Sequence, residues 1–226
     1  MGKPDFRIHG SCVALPTPFR FGTVDVLALE ALCHRQVAAG TAALVPRGPD
    51  ATRRLMLLRH AKSDWTRPGT RDHERALALR GRESAPRIGA YMVHHGLTPD
   101  RVVCSTATRA RETWDLVAAA FAEAPPAVYE NRVYEASAQA LFDVVKETKA
   151  DTHVLLLTGH NPGLHDFAQR LIASGDTDAR QRLTEKFPTG ALAVIDFAVD
   201  DWRKLHPRSG RLDRFVVPRA LGTATD

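Results

Sequence analysis

Apolar positions fall in two successive rhythms along the 226-residue chain. In the first, a short run CVAL (12–15) meets a proline-rich turn, PTPF, and Asp25 stands ready to cap a helix. Val26, Leu29, Leu32, Cys33 and Val37 recur at helical spacing, which predicts that helix from about 26 to 39, stopped by Gly40. TAALV (41–45) reads as a strand, and PRGPDATRR after it has the proline, glycine and charge of a linker. The second rhythm consists of apolar runs too short for helices: LMLL (55–58), RVVC (101–104) and HVLLLT (153–158). Such runs suit strands covered on both faces. Helices are expected at roughly 83–95, 108–122 and 137–148, and from about Gly163. Pro86 is acceptable only in the first turn of its helix. A short strand is expected within 128–133, GALAVIDF (190–197) reads as an antiparallel or edge strand, and RFVVP (214–218) as a tail. The polar stretch 66–81, broken by Pro68 and Gly69, reads mostly as loop. Strand and helix alternate, so the chain is expected to be α/β: three αβα layers around a mainly parallel sheet.

Composition narrows the class. At 44% hydrophobic and 25% charged residues the chain has the balance of an ordinary globular protein. No apolar stretch reaches the roughly 18 residues of a membrane span, and no signal-peptide pattern opens the sequence. Three cysteines, Cys12, Cys33 and Cys104, without regular spacing argue against a disulfide framework. A reducing, cytoplasmic location is expected. The net charge of +5 leaves room for arginines that converge on an anionic substrate. The basic residues are scattered, without interleaved aromatics, so neither a nucleic-acid nor a membrane partner is expected.

The chemistry gathers at strand ends. LMLL runs into Arg59-His60, RVVC into Ser105 and then Arg109, and VLLLT into Gly159-His160-Asn161-Pro162-Gly163. If those strands are parallel neighbours, two guanidiniums and two imidazoles meet at one sheet edge, beside helix N-termini with unpaired N–H groups. Such a cluster suits a phosphoryl group: arginine offers a planar donor fork, and imidazole can attack, donate or accept a proton. Zinc is disfavoured, because His160 and His165 lack further ligands at zinc spacing.

RHAKSDW (59–65), STATRARETW (105–114) and TGHNPG (158–163) resemble the histidine phosphatase superfamily, and in particular its SixA-type phosphohistidine phosphatases. LALRGRESAPRIGAYM, VYEAS and KFPTGALAVIDF fit the same group, so the resemblance spans roughly 53–219. It implies a phosphoglycerate mutase-like fold and a hydrolase of phosphohistidine or small phosphomonoesters. By position, His60 matches the nucleophile, Arg59 and Arg109 the phosphate-binding arginines, and His160 the histidine that donates to phosphoryl oxygens. Ala61 follows His60 where many members have glycine. Glu135 is the candidate general acid, and Lys62, Ser63 and Arg80 are candidates for the rim. No metal or other cofactor is implied. A phosphorylated protein or a small phosphorylated metabolite is the expected partner.

Residues 10–48 resemble something else, the opening of dihydrodipicolinate synthase-type aldolases, through VALPTPF, Val24-Asp25 and GTAALVPRG. Expected boundaries are therefore a βαβ appendage over 1–48, a linker at 49–53, a phosphatase domain over 54–219 and a tail at 220–226. A complete aldolase would need roughly 250 residues of barrel, and its Schiff-base lysine has no counterpart here. An aldolase and a non-catalytic phosphate-binding module stand as the alternatives.

Overall fold

The computed structural model describes residues 12–16, 19–20, 23–24, 31, 43–47 and 52–222. The chain divides into two compact units, Met1–Ala51 and Thr52–Asp226. In the first unit, strand β1 (Cys12–Pro16) pairs in parallel with β4 (Ala43–Arg47), Cys12 opposite Ala43. Two-residue strands β2 (Phe19–Arg20) and β3 (Thr23–Val24) form a small antiparallel pair. The helix expected over 26–39 falls outside the described residues except at Ala31, as do most of the linker and the last four residues of the tail.

The second unit is built on β5 (Arg53–Arg59), whose alternation decides the layering. Leu55 and Leu57 point into one core cluster, Met56 and Leu58 into another on the opposite face. One face is covered by α1 (Leu79–His94) and α2 (Thr108–Ala118), through Ile88, Met92, Trp114 and Val117. The other is covered by α3 (Ala138–Lys146), α4 (Gly163–Leu171) and α5 (Thr177–Glu185), through Leu141, Phe142, Phe167 and Leu183. The result is the three-layer αβα arrangement that alternating elements predict.

The remaining strands are β6 (Arg101–Ser105), β7 (Ala127–Glu130), β8 (Val154–Gly159), β9 (Ile172–Gly175), β10 (Leu192–Phe197) and β11 (Gly210–Val216). They form one seven-stranded sheet in the order β7-β6-β8-β5-β10-β11-β9. β7, β6, β8 and β5 run parallel, with Arg59 opposite Gly159 and Cys104 opposite Thr158. Only β10 runs against the rest. It is antiparallel, as expected for 190–197, but interior.

Several boundaries differ from the sequence expectation. Helix α1 starts at Leu79 rather than 83, so Pro86 lies inside it and not in its first turn. Pro86 is exposed, and the Arg82 carbonyl it leaves without an amide partner belongs to an exposed residue. α2 stops at Ala118, four residues short of 122. RFVVP is no tail: most of it belongs to β11, an interior strand. Strand β9 and helix α5 went unforeseen. Within 66–81, Asp72–Glu74 forms a 3-10 turn and Leu77 bridges to Ser63.

Candidate active site

Strands β5, β6 and β8 deliver their last residues to the same sheet edge, and β5 sits where the chain direction reverses toward β10. Ligand crevices in open α/β sheets lie at such points. The backbone there is tightly held. His60 N–H donates to Gly159 O (3.1 Å), Ala61 N–H donates to Thr113 Oγ1 (2.9 Å), and Gly190 N–H donates to the carbonyls of Arg59 and His60. Gly190 turns at φ +75°, a conformation that favours glycine.

The His60 ring is buried, and its Nδ1 lies 2.7 Å from the Ala61 carbonyl. A carbonyl only accepts, so Nδ1 carries the proton and Nε2 keeps its lone pair. Nε2 in turn accepts from Arg109 Nε at 3.3 Å. Burial, reinforced by the nearby guanidinium of Arg109, holds the His60 imidazole well below its ordinary range, at about 3. His160 faces it with ring centroids 5.0 Å apart. Burial and the His60 ring push His160 down to about 2. His160 Nε2 lies 2.6 Å from Ser105 Oγ, which also accepts from Ala107 N–H at 3.3 Å, while its Nδ1 is buried without a partner.

Two arginines border the same space. Arg59 is anchored by Nη1 on the Phe187 carbonyl (2.8 Å), and its buried Nε is unpartnered. Arg109, in the first turn of α2, donates to the Asp72 backbone carbonyl (2.6 Å) and to Asp72 Oδ2 (2.9 Å). Asp72 Oδ2 also accepts from the Tyr134 hydroxyl at 2.8 Å. Its Oδ1 accepts from Arg75 at 2.6 Å. Burial pushes the Asp72 carboxyl upward, but Tyr134, Arg75 and Arg109 outweigh it and hold the group at about 2. The same contact, added to burial, raises Tyr134 to about 12.

A cavity of about 410 Å³ opens over these groups. Every candidate from the sequence lines it except Arg80: Arg59, His60, Lys62, Ser63, Arg109, Glu135 and His160. Glu135 is exposed and has a positive φ of 49°, uncommon for a side-chain-bearing residue. Lys62 is exposed, whereas Ser63 is buried, its Oγ accepting from Arg75 Nη1 at 2.9 Å. Arg80 lies in a neighbouring groove. Sequence reasoning missed Asp72 and Arg75, which lie in a stretch without apolar period, and Tyr134, although it sits beside Glu135. Ser105 was visible after RVVC and as the first residue of STATRARETW but was given no role.

Several known proteins are similar to this chain. The model of the histidine phosphatase superfamily (branch 1) matches residues 55–153. An uncharacterized protein of Mycobacterium leprae is 36% identical over 166 residues, covering 72% of this chain and all of that protein. Two solved structures assigned as the phosphohistidine phosphatase SixA are similar. The one from Agrobacterium tumefaciens is 30% identical, with 74% of this chain and 99% of that one covered and a TM-score of 0.61. The one from Nakamurella multipartitia is 26% identical, with 77% and 99% covered and a TM-score of 0.66. Separately, 40 residues are 62% identical to the 4-hydroxy-tetrahydrodipicolinate synthase of Hyphomonas neptunium, only 14% of that enzyme's length.

Proposed function

The chain belongs to the histidine phosphatase superfamily and is a phosphatase by that membership, and we propose that it works through a phosphohistidine formed on His60, on phosphohistidine or small phosphomonoester substrates. The observation that carries this reading is the set of bonds at His60, which lines the cavity: Nδ1 is tied to the Ala61 carbonyl, so Nε2, which accepts from Arg109 Nε, is the nitrogen with a lone pair.

Each step draws on a group in or beside the cavity. Phosphoryl transfer is largely a matter of positioning and of stabilising charge on the equatorial oxygens. The unpartnered Nε–H of Arg59 and the Nη hydrogens of Arg109 that Asp72 does not hold donate to those oxygens. Ser105 Oγ already accepts from Ala107, so its hydroxyl hydrogen is free to donate to His160 Nε2. His160 Nδ1 then carries the proton and donates to the phosphoryl group. His60 Nε2 gives up the hydrogen bond from Arg109 Nε and uses the freed lone pair to attack phosphorus, and the bond to the leaving atom breaks. The imidazolium formed on His60 keeps its Nδ1 proton on the Ala61 carbonyl, which stabilises the charge. Water then attacks the phosphorus, the N–P bond breaks, and inorganic phosphate leaves with His60 neutral again. Glu135, on the cavity wall, is the group assigned to protonate a leaving oxygen. Lys62 borders the mouth and draws the anion in, and Ser63 supports Arg75.

The aldolase alternative rests on the resemblance of residues 10–48 and on a 40-residue match to 14% of one such enzyme. The experiment that separates an enzyme from a phosphate-binding module is turnover of p-nitrophenyl phosphate by His60→Ala. Activity is expected to fall at least ~10³-fold, the scale of losing a nucleophile, with phosphate binding retained. Turnover near the wild-type rate would remove His60 from the mechanism.

A further inference from the structure

Beside the catalytic cavity lies a second, larger hollow of about 930 Å³, joined to it through Arg59, Lys62 and Thr189. Its charge is one-sided. Arg59, Lys62, Arg80, Arg87, Lys186 and Arg219 line it, against a single carboxylate, Glu83. These cations come from β5 and the turn after it, α1, the segment before β10, and the turn after β11. The arrangement is therefore made by the tertiary fold and is invisible as a run in sequence. Apart from Arg59, none of the six has an ion-pair or side-chain hydrogen-bond partner among the described residues. Some other surface arginines of this unit do find acids: Arg54 with Asp196, Arg82 with Glu112, Arg132 with Glu130 and Glu147, Arg203 with Asp201. The groove is thus a local accumulation of uncompensated positive charge.

Apolar side chains line it as well: Leu79, 74% exposed, with Pro188, Val217 and Pro218. At the lip of the adjoining cavity Trp65 is 71% exposed, its ring 3.4 Å under the Arg75 guanidinium. A compact polyanion is best held by converging, fixed donors. Here the cations are long and mostly exposed side chains around an apolar strip. No aromatic ring lines the groove to stack a base. An acidic polypeptide fits better, because its carboxylates are spaced along a chain and its apolar side chains can cover Leu79 and Val217.

We propose that this groove docks an acidic polypeptide segment of the substrate and so presents that protein's phosphoryl group to the catalytic cavity. The inference rests on the phosphatase reading above and narrows its substrate to a phosphorylated protein with an acidic face.

The test compares two synthetic peptides with one N-phosphorylated histidine each, flanked by Glu and Leu or by Lys and Leu. p-Nitrophenyl phosphate serves as a substrate too small to reach the groove, and tripolyphosphate as a competing small polyanion. The variant is Arg87→Glu/Lys186→Glu/Arg219→Glu, whose positions do not line the catalytic cavity. Wild type is expected to prefer the acidic peptide by at least ~10-fold in kcat/KM. The variant should lose that preference while hydrolysing p-nitrophenyl phosphate within about twofold of wild type. Equal turnover of both peptides by wild type, or an undiminished preference in the variant, overturns the proposal. So does tripolyphosphate inhibition that weakens in the variant as much as the acidic peptide's kcat/KM falls, which would give the groove to small polyanions. Wild-type kinetics supply a variant-free reading: the preference must shrink several-fold between about 20 mM and 500 mM salt, and a salt-independent preference counts against docking by charge. Loss of docking leaves p-nitrophenyl phosphate turnover dependent on His60, whereas failure of the phosphatase mechanism appears as turnover without His60.

Discussion

Asp72 is the residue whose position most changes the picture of the site. Its carboxylate holds Nη2 of Arg109 and its backbone carbonyl holds Nη1, on the same guanidinium assigned to phosphoryl oxygens, and the carboxylate is shared with Tyr134 and Arg75. The group both orients Arg109 and competes, by charge, with an incoming phosphate. Asp72→Asn keeps the shape and removes the charge, so inorganic phosphate should inhibit several-fold more tightly while kcat falls about 10-fold, read from steady-state kinetics with p-nitrophenyl phosphate. Weaker phosphate inhibition would mean that Asp72 only holds Arg109 in place. The four residues that define the site were legible in the sequence because each closes or follows an apolar run: Arg59-His60 after LMLL, Arg109 after RVVC, His160 after VLLLT. Asp72 and Arg75 were not. They lie in a polar stretch with no period, and only the 3-10 turn at Asp72–Glu74 and the Ser63–Leu77 bridge bring them to the cavity.

At the scale of elements, two glycines show how closely backbone must approach backbone near the site. A Cβ on Gly81 would overlap the Lys62 carbonyl oxygen, and one on Gly163 would overlap the Ala136 carbonyl oxygen. Gly163 opens α4 directly after the His160 segment, and Ala136 follows Tyr134 and Glu135. Gly163→Ala should therefore push apart the two segments that carry His160 and Glu135. The expected cost is about 1–3 kcal/mol in urea denaturation, together with a drop in kcat larger than any change in KM. Stability within about 0.5 kcal/mol of wild type would show that the contact relaxes freely. The elements hidden from the sequence share one cause, too little apolar signal. In α5 only Ala179 and Leu183 are buried over nine residues, β9 has four residues with one buried, and the first half of β11 reads GRLD. α1 was visible, but its start was displaced by Pro86, whose exposure lets a helix interior accept it.

For the whole molecule, burying two neutral imidazoles ties stability to pH. His60 and His160 are held at about 3 and about 2, below the ordinary 6.5, because burial disfavours their charged forms. Between those values the unfolded chain binds more protons than the folded one. Stability is therefore complete above about pH 6.5 and is lost as pH falls through the window from 6.5 toward 3, by up to roughly 1.4 kcal/mol per pH unit for each histidine. Asp72, held near 2, adds a loss of the same sign at the acid end. Urea titrations from pH 7 to 4 should show this decline, and His60→Gln should make it shallower. A flat profile would mean that the two rings are solvated and protonate freely. The chain divides into two units, and the candidate site residues all lie in the second, Thr52–Asp226.

The proposed mechanism depends on His60 as the residue that carries the phosphoryl group. The direct measurement is to mix the protein with p-nitrophenyl phosphate, quench in alkali during the initial burst of nitrophenol, and locate the phosphate by peptide mass spectrometry. The account predicts one phosphate per chain, acid-labile and on His60. A burst of one equivalent of nitrophenol with His60 unmodified, or with the phosphate on another residue, would contradict it.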